Sequence, residues 1–267
     1  MEAAFFDLDK TVIANSSVMA LGGTLYRDGL ISTRTIVRGL YAQGVYQLVG
    51  ADENKMDRMR EAMLTLTRGW DQQHVKELVR ETLDDVITPI IYAEALDLID
   101  EHRAAGRKTV IVSSSPLETV EPIGDYLGVD DVIATRARID AHGRYTGELE
   151  FYAYAAHKAD AIREMAVAEG LDLAGSYAYS DSITDLPMLE LVGHPVAVNP
   201  DRELARIARD RDWEVRYFQR PVRLRDRVPV PPRGPTLAAG SLLLAAGSAL
   251  VVYLWMRRRA TPAAPNE

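Results

Sequence analysis

Two aspartates, two residues apart, follow a short apolar run near the start of the chain. The run AAFF leads into Asp7 and Asp9, which is the pattern of a buried strand that ends at a carboxylate pair. Open α/β sheets bind ligands at the carboxyl ends of their strands, and alternation directs residues two apart to the same side. Such a pair can supply a nucleophile or metal ligand together with an acid or base. Taken alone, the pattern is equally compatible with a turn capped by an aspartate.

Hydroxyl side chains follow a second strand-like run. The run KTVIV leads into Ser113, Ser114 and Ser115, and Pro116 stands in a position to start a helix. Because hydroxyl and amide groups at a helix N-terminus bind anions, the pattern predicts an anion site at Ser113. Ordinary N-capping by Ser115 is the structural alternative.

A lysine and two further aspartates come later in the chain. Lys158 stands at the start of a segment of helical period, although lysine is more usual near a helix C-terminus. The run SYAYS then leads into Asp181 and, four residues later, Asp185. Taken separately, these features have structural alternatives, namely a solvated lysine and an N-cap formed by Ser182 or Asp181.

Strand-like runs alternate with segments of helical period, which predicts βα units around a parallel sheet, an α/β fold. Residues 131–150 alternate around His142-Gly143 and predict a hairpin beside the sheet. The segment after Asp201 predicts one more helix and a short terminal strand. Residues 16–97 have helical periods only, with Asp71 as an N-cap and Gly69 ending the helix before it. We therefore predict a core of residues 1–15 plus 98–218 and an inserted α-helical cap of residues 16–97.

The amino-acid composition excludes several kinds of active site and argues against one class of partner. The 267 residues include no Cys, which excludes thiolate metal sites and cysteine nucleophiles, and the formal net charge is −8. This acidic balance argues against a nucleic-acid partner. The charge is uneven, because residues 201–267 hold 13 basic and 7 acidic side chains.

The basic end of the chain contains a long apolar segment. Residues 236–256 carry no charge over 21 positions, a length that spans roughly 30 Å as a helix and predicts a transmembrane helix. A basic Pro/Arg linker, 219–235, precedes it and could contact anionic lipids, and a short tail, 257–267, follows it. The start of the chain does not resemble a signal peptide, so we expect a single-pass membrane protein whose catalytic domain is cytoplasmic. The repeated AAGS could bring two such helices together as a homodimer, or could merely fill an apolar segment.

The joint order of the motifs is more specific than any one of them. Strand–DxDxT, strand–Ser, helix-start Lys and strand–DxxxD, over residues 3–218, resemble the haloacid dehalogenase superfamily of aspartyl-phosphate phosphotransferases. The helical cap between the first two motifs resembles the phosphoserine-phosphatase-like subclass, subfamily IB. The segment SYAYSDSITDLPMLELVGHPVAVNPDRELARIA resembles a branch of hydrolases that includes proteins named for inhibition of morphological differentiation. The resemblance implies a Rossmann-like parallel sheet and phosphatase activity.

The resemblance also implies roles for individual residues. Asp7 would be the nucleophile and Asp9 the acid and base, while Lys158 would offset negative charge. Mg²⁺ would be held by Asp7, the main-chain carbonyl of Asp9, and Asp181. The remaining implied roles are phosphate binding by Thr11, Ser113, Ser114 and Lys158, and support of Lys158 or the metal shell by Asp185.

The substrate is left open by the sequence. The resemblance implies a small phosphomonoester, but phosphoserine phosphatases usually carry a Glu nine residues after the nucleophile, where this chain has Ser16. Two alternatives accompany this expectation. One is a lysophosphatidate or other lipid phosphate, which a membrane tether would concentrate near the site. The other is a non-catalytic, membrane-anchored regulator of cell differentiation or morphology.

Overall fold

A seven-stranded sheet organises the part of the chain that the computed structural model describes, which is residues 1–33 and 53–219 without the side chains of 53–59. Its strand order is β4-β3-β2-β1-β5-β6-β7, and all neighbouring pairs are parallel except the antiparallel pair β3–β4. The strands are β1 Ala3–Phe6, β2 Lys108–Pro116, β3 Asp131–Ile139, β4 Tyr145–Phe151, β5 Tyr177–Ser180, β6 His194–Val198 and β7 Glu214–Arg216.

The central strand β1 is buried on both faces because all four of its residues are apolar. Phe6 and Ala4 pack into one hydrophobic cluster, and Phe5 and Ala3 pack into a second cluster on the other face. A continuous apolar run of this kind is typical of a strand inside a parallel sheet. The chain that follows β1 therefore emerges from the middle of the sheet.

Helices connect the strands as the sequence predicts. They are α1 Ser17–Arg27, α2 Glu53–Thr67, α3 Gln72–Val86, α4 Ala93–Ala104, α5 Leu117–Leu127, α6 Ala156–Glu169, α7 Leu186–Leu189 and α8 Arg202–Asp210, with 3-10 turns at Thr88–Ile90 and Ile183–Asp185. The α/β class, the hairpin β3–β4 and the terminal helix and strand are confirmed.

The inserted helices leave and rejoin the sheet domain side by side. The Ala14 N–H donates to the Ile90 carbonyl at 2.7 Å, and the Tyr92 N–H donates to the Val12 carbonyl at 2.9 Å. These bonds form a neck, beyond which α4 packs against β1 and β2. The predicted boundary at residue 97 falls inside α4, and the predicted domain division stays a prediction. The cap segment 34–52 lies outside the described residues.

A second connection joins the insertion to the hairpin. The Gly69 N–H donates to the Tyr145 carbonyl at 2.8 Å, and the Tyr145 N–H donates to the Trp70 carbonyl at 3.0 Å. The Gln72 N–H also donates to the Gly143 carbonyl at 3.0 Å. We refer to residues 69–72 and 143–145 as the cap–hairpin contact. Asp71 caps α3 as predicted, because its carboxylate accepts from the His74 N–H at 3.0 Å.

Within residues 1–33 and 53–219, we find no helix whose length and apolar character would let it span a bilayer. The predicted transmembrane helix at 236–256 and tail at 257–267 lie outside the described residues, as does the linker beyond residue 219. Lipid contact and a homodimer through that helix therefore stay predictions.

Candidate active site

Lys158 bridges two carboxylates at the carboxyl edge of the sheet. It lies in the first turn of α6, and its Nζ is 2.6 Å from Asp7 Oδ1 and 2.8 Å from Asp185 Oδ2. The lysine side chain is only 3% exposed. Burial alone would lower the pKa of Lys158, but the charges of Asp185 and Asp7 raise it above its ordinary value. The lysine is therefore a buried ammonium ion in the site and not a solvated surface residue.

Asp7 is the first residue beyond β1. Its N–H donates to the Tyr179 carbonyl at 2.9 Å, which continues the pairing with β5 and fixes the backbone below the carboxylate. Burial raises the pKa of Asp7 above its ordinary value, and Lys158 opposes the shift. The nearby charges of Asp185 and Asp181 raise it further. Asp7 therefore interacts electrostatically with Asp181 and Asp185, the two aspartates that the sequence places after the third strand-like run.

Asp181 and Asp185 follow β5 and are also buried. Burial raises the pKa of Asp181 to about 7; Lys10 opposes the shift and Asp185 adds to it. The Ser180 hydroxyl donates to Asp185 Oδ2 at 2.7 Å, the same oxygen that binds Lys158. The N-cap of the following 3-10 turn is Ser182 and not Asp181.

Asp9 lies beside the insertion, and both of its carboxylate oxygens accept hydrogen bonds. Oδ1 accepts from the N–H of Ser17, the first residue of α1, at 2.9 Å. Oδ2 accepts from the Ser115 hydroxyl at 3.1 Å. Asp9 is half-buried, which leaves it open to a ligand from one side.

The predicted phosphate-binding hydroxyls differ in their surroundings. The Ser113 hydroxyl is buried and accepts from the Ser115 N–H at 3.1 Å, whereas Ser114 is exposed. The Thr11 hydroxyl is buried and has no hydrogen-bond partner within the described part of the chain. The alternative that Ser115 is an ordinary N-cap is wrong. Pro116 occupies the N-cap of α5, and the Ser115 hydroxyl donates to Asp9.

The charges of the site fit a divalent cation. Three buried carboxylates, Asp7, Asp181 and Asp185, lie close enough to Lys158 to interact with its charge. Burial first, and then the neighbouring carboxylates, raise the pKa values of Asp7 and Asp181. No group of three or more His, Cys, Asp or Glu side chains forms a metal cage among residues 1–33 and 53–219. The set that the resemblance implies, two carboxylates, a main-chain carbonyl and waters, consists of oxygen donors, which suit Mg²⁺.

Sequence reasoning missed Ser180 and Asp201, which support the site. The Asp201 N–H donates to the Asp181 carbonyl at 2.7 Å, and Asp201 Oδ2 accepts from the Ile183 N–H at 2.8 Å. Its Oδ1 also caps α8. The N-cap pattern at the start of α8 was the available signal for Asp201.

Aspartates at the strand ends of a mostly parallel α/β sheet surround a buried lysine, an arrangement that fits the class of α/β enzymes that act on anionic groups. A model of the family described as haloacid dehalogenase-like hydrolase matches residues 4–190. The chain belongs to this family, which confirms the resemblance that the order of the motifs indicates.

Comparisons with individual proteins agree with this assignment. A protein of Streptomyces azureus named for inhibition of morphological differentiation is 54% identical over 264 residues, which are 98% of this chain and 95% of the relative. A Mycobacterium tuberculosis protein named as a probable phosphatase is 49% identical over 259 residues, which are 96% of this chain and 89% of the relative. The chain is a phosphatase of this family.

A solved structure has a similar fold. It is a protein of Bordetella pertussis described as having unknown function, with a TM-score of 0.71 and 30% identity, and the match covers 80% of this chain and 97% of that one.

Proposed function

We propose that this phosphatase is a Mg²⁺-dependent phosphomonoesterase that acts on a small phosphorylated metabolite through an aspartyl-phosphate on Asp7. The observation that carries the proposal is the buried ammonium of Lys158, 2.6 Å from Asp7 Oδ1. A carboxylate nucleophile and a phosphate monoester are both anions, and a fixed cation between them offsets their repulsion.

In the first step, an Asp7 carboxylate oxygen attacks phosphorus and forms a P–O bond. The ester P–O bond breaks, and the leaving oxygen takes a proton from Asp9. Lys158 holds Oδ1, which leaves Oδ2 to attack. Asp185 and Ser180 hold the lysine and thereby fix the direction of that contact.

In the second step, water attacks the phosphorus of the aspartyl-phosphate. Asp9 takes a proton from the water, the P–O bond to Asp7 breaks, and inorganic phosphate leaves. Both residues then return to their starting protonation states. In this scheme Asp9 serves as the acid in the first step and as the base in the second.

Asp7, Asp181 and the Asp9 carbonyl would hold Mg²⁺, which supplies positive charge beside the phosphoryl oxygens. Ser113 and Lys158 would bind those oxygens, and Thr11 and Ser114 complete the proposed phosphate site. The unpartnered hydroxyl of Thr11 supports its inclusion, because buried polar groups normally have partners.

Phosphate release by the purified full-length chain in detergent tests the proposal. The panel contains phosphoamino acids, sugar phosphates, lysophosphatidates and p-nitrophenyl phosphate, each with Mg²⁺ and with chelator. We expect Mg²⁺-dependent release, and a phosphoryl group on Asp7 after acid quenching. Preference for lysophosphatidate would favour the lipid-phosphate alternative. Mg²⁺-dependent ligand binding without release would favour the regulator.

Ser16 stands at the N-cap of α1, where the resemblance leads us to look for a Glu. A neutral hydroxyl does not attract a substrate ammonium group, so phosphoserine is a poor candidate. The membrane location with a cytoplasmic catalytic domain is part of this proposal. Fractionation and protease protection of the full-length chain would test it.

A further inference from the structure

One serine hydroxyl and one serine backbone N–H hold the carboxylate of Asp9. Ser115 is 5% exposed, and its hydroxyl donates to Asp9 Oδ2 at 3.1 Å. The Ser115 oxygen also lies 2.9 Å from the Ser17 hydroxyl. Because the Ser115 proton is directed to Asp9, the Ser17 hydroxyl is the donor in that second pair.

These contacts form a closed ring of neutral donors. The Ser17 N–H binds Asp9 Oδ1 at 2.9 Å, while the Ser17 hydroxyl reaches Oδ2 through Ser115. Both oxygens of one carboxylate are therefore fixed from two different parts of the fold. The donors constrain rotation of the Asp9 carboxylate without adding a charge to a site that already holds Lys158.

Alternation along β2 places Ser115 on the buried face with Ser113 and leaves Ser114 exposed, which directs Ser115 and not Ser114 to Asp9. The pairing of β2 with β3 shifts register between Ser113 and Pro116. The Thr135 hydroxyl donates to the Ser114 carbonyl at 2.7 Å and stabilises the irregular segment.

We propose that Ser115, supported by Ser17, is a positioning residue for Asp9. It orients the Asp9 carboxyl group, which carries the proton in the first step, so that this proton passes to the leaving oxygen of the substrate and the carboxylate that results faces the water of the second step. The inference rests on the proposed function, in which Asp9 is the acid and base. It adds a residue, and a reason for its orientation, that the motif pattern does not supply.

The test compares Ser115→Ala with the wild-type full-length chain on two phosphate monoesters. p-Nitrophenol leaves with little need of a proton, whereas the alcohol of an alkyl phosphate needs one. Since kcat/KM includes every step up to departure of the leaving group, it reports the acid function directly. We expect kcat/KM for the alkyl phosphate to fall by about 10- to 100-fold more than that for p-nitrophenyl phosphate, which is a part of the roughly 100- to 10,000-fold contribution of general acid catalysis because the acid itself is still present.

Two further variants separate positioning from folding. Ser115→Thr restores the hydroxyl and is expected to restore the alkyl phosphate rate, and Asp9→Asn is expected to show the same selectivity more strongly. Ser176→Ala is the matched control, because it removes a buried hydroxyl that binds the Ala3 N–H at the other end of β1. If Ser115→Ala does not fold, Ser17→Ala decides, with a smaller loss of the same selectivity expected.

An equal loss on both substrates in Ser115→Ala would overturn the positioning role, as would failure of folded Ser115→Thr to recover the alkyl phosphate rate. Absence of phosphate release by the wild type would instead contradict the proposed function. Retained leaving-group selectivity in Asp9→Asn without any in the serine variants would overturn this inference alone.

Discussion

The ammonium of Lys158 lies 2.6 Å from Asp7 Oδ1, although 151 residues separate the two in the chain. The contact exists because β1 lies in the middle of the sheet and α6 begins at the same edge at which β1 ends. Burying either charge alone would be unfavourable because the charge loses its hydration. The two residues can be buried together because the charge of each offsets that of the other.

Replacement of Asp7 by Asn should abolish turnover and leave the fold intact. An amide oxygen is too weak a nucleophile, so we expect kcat to fall by at least about 1,000-fold. Phosphate release and circular dichroism measure the two effects. Asp160→Asn is the matched control, because this exposed aspartate lies on α6 two residues beyond Lys158. Comparable loss in both variants would contradict the nucleophile assignment.

Replacement of Lys158 by Met should lower both activity and stability. Asp7 and Asp185 would remain buried without their counter-ion, at a cost of about 3–5 kcal/mol. The remaining carboxylates take up protons in acid, so the loss of unfolding free energy should be larger at about pH 8 than at about pH 5. Urea denaturation at the two pH values gives the measurement. Lys108→Met, which removes two partly exposed ion pairs, with Asp131 and Glu169, at the other end of β2, should cost less at both pH values.

Added Mg²⁺ should raise the melting temperature of the wild-type protein, because a cation that binds only the folded state stabilises it. Asp181→Asn should remove most of that shift together with activity. Thermal denaturation with MgCl₂ and with chelator measures the effect. An unchanged Mg²⁺ shift in Asp181→Asn would exclude Asp181 from the cation site.

Acid should destabilise the protein through His102. Its ring is 4% exposed, and Nε2 lies 2.8 Å from the Tyr179 hydroxyl. Burial first, then Arg107 and Arg216, lower the pKa of His102 to about 4 from 6.5. Between these pH values the unfolded chain binds more protons, so this contribution is complete above about pH 6.5 and is lost as the pH falls toward about 4.

The comparison for this effect is His102→Gln, which cannot titrate. The advantage of the wild type over this variant should shrink by about 1 kcal/mol between pH 7 and pH 5, after allowance for solvent screening. His74 is the control of opposite sign: its hydrogen bond to Asp28 raises its pKa, so its contribution is lost as the pH rises. A wild-type advantage that does not change with pH would refute the assignment to His102.

Gly147 on β4 should tolerate no side chain without cost. Its φ is +85°, and Arg68 Nε lies 2.6 Å from where a Cβ would stand. The backbone conformation alone costs a residue with a Cβ about 1–2 kcal/mol. Gly106→Ala is the matched control, since its φ is +72° with no atom within 4 Å of the added carbon. Gly147→Ala should cost more than Gly106→Ala, and an Arg68→Ala background should remove the excess.

The residues that perform the proposed chemistry could be predicted because each follows a recognisable strand or starts a helix. Asp7, Lys158 and Asp185 meet as the motif order indicates. Alternation along β2 places Ser113 and Ser115 on one face, but the contact between Ser115 and Asp9 could not be predicted, because it depends on where the chain that follows β1 lies in the folded molecule. The N-cap pattern could have indicated the capping role of Asp201, but its bonds to Asp181 and Ile183 join segments 18 or more residues apart and leave no signal in the sequence.

The cap–hairpin contact could not be predicted either. The sequence indicates a helical insertion and a hairpin separately, but the bonds between residues 69–72 and 143–145 join segments from different parts of the chain. Backbone pairing of this kind depends on the distance between the two elements in the folded molecule and not on side-chain identity. The sequence predicted that Asp71 caps α3, but it did not predict the antiparallel backbone β-bridge between Asp71 and Arg144.

The double attachment of the insertion defines which part of the protein can be exchanged as a unit. A chimera that transplants residues 14–90 into a related enzyme would carry the Ala14–Ile90 bond of the neck but leave behind the hairpin, so the amides of Gly69 and Gln72 would lose their original acceptors. A transplant that also includes residues 139–145 keeps the three backbone bonds of the cap–hairpin contact. Recombination among relatives should therefore tolerate crossovers that keep these two segments from the same parent.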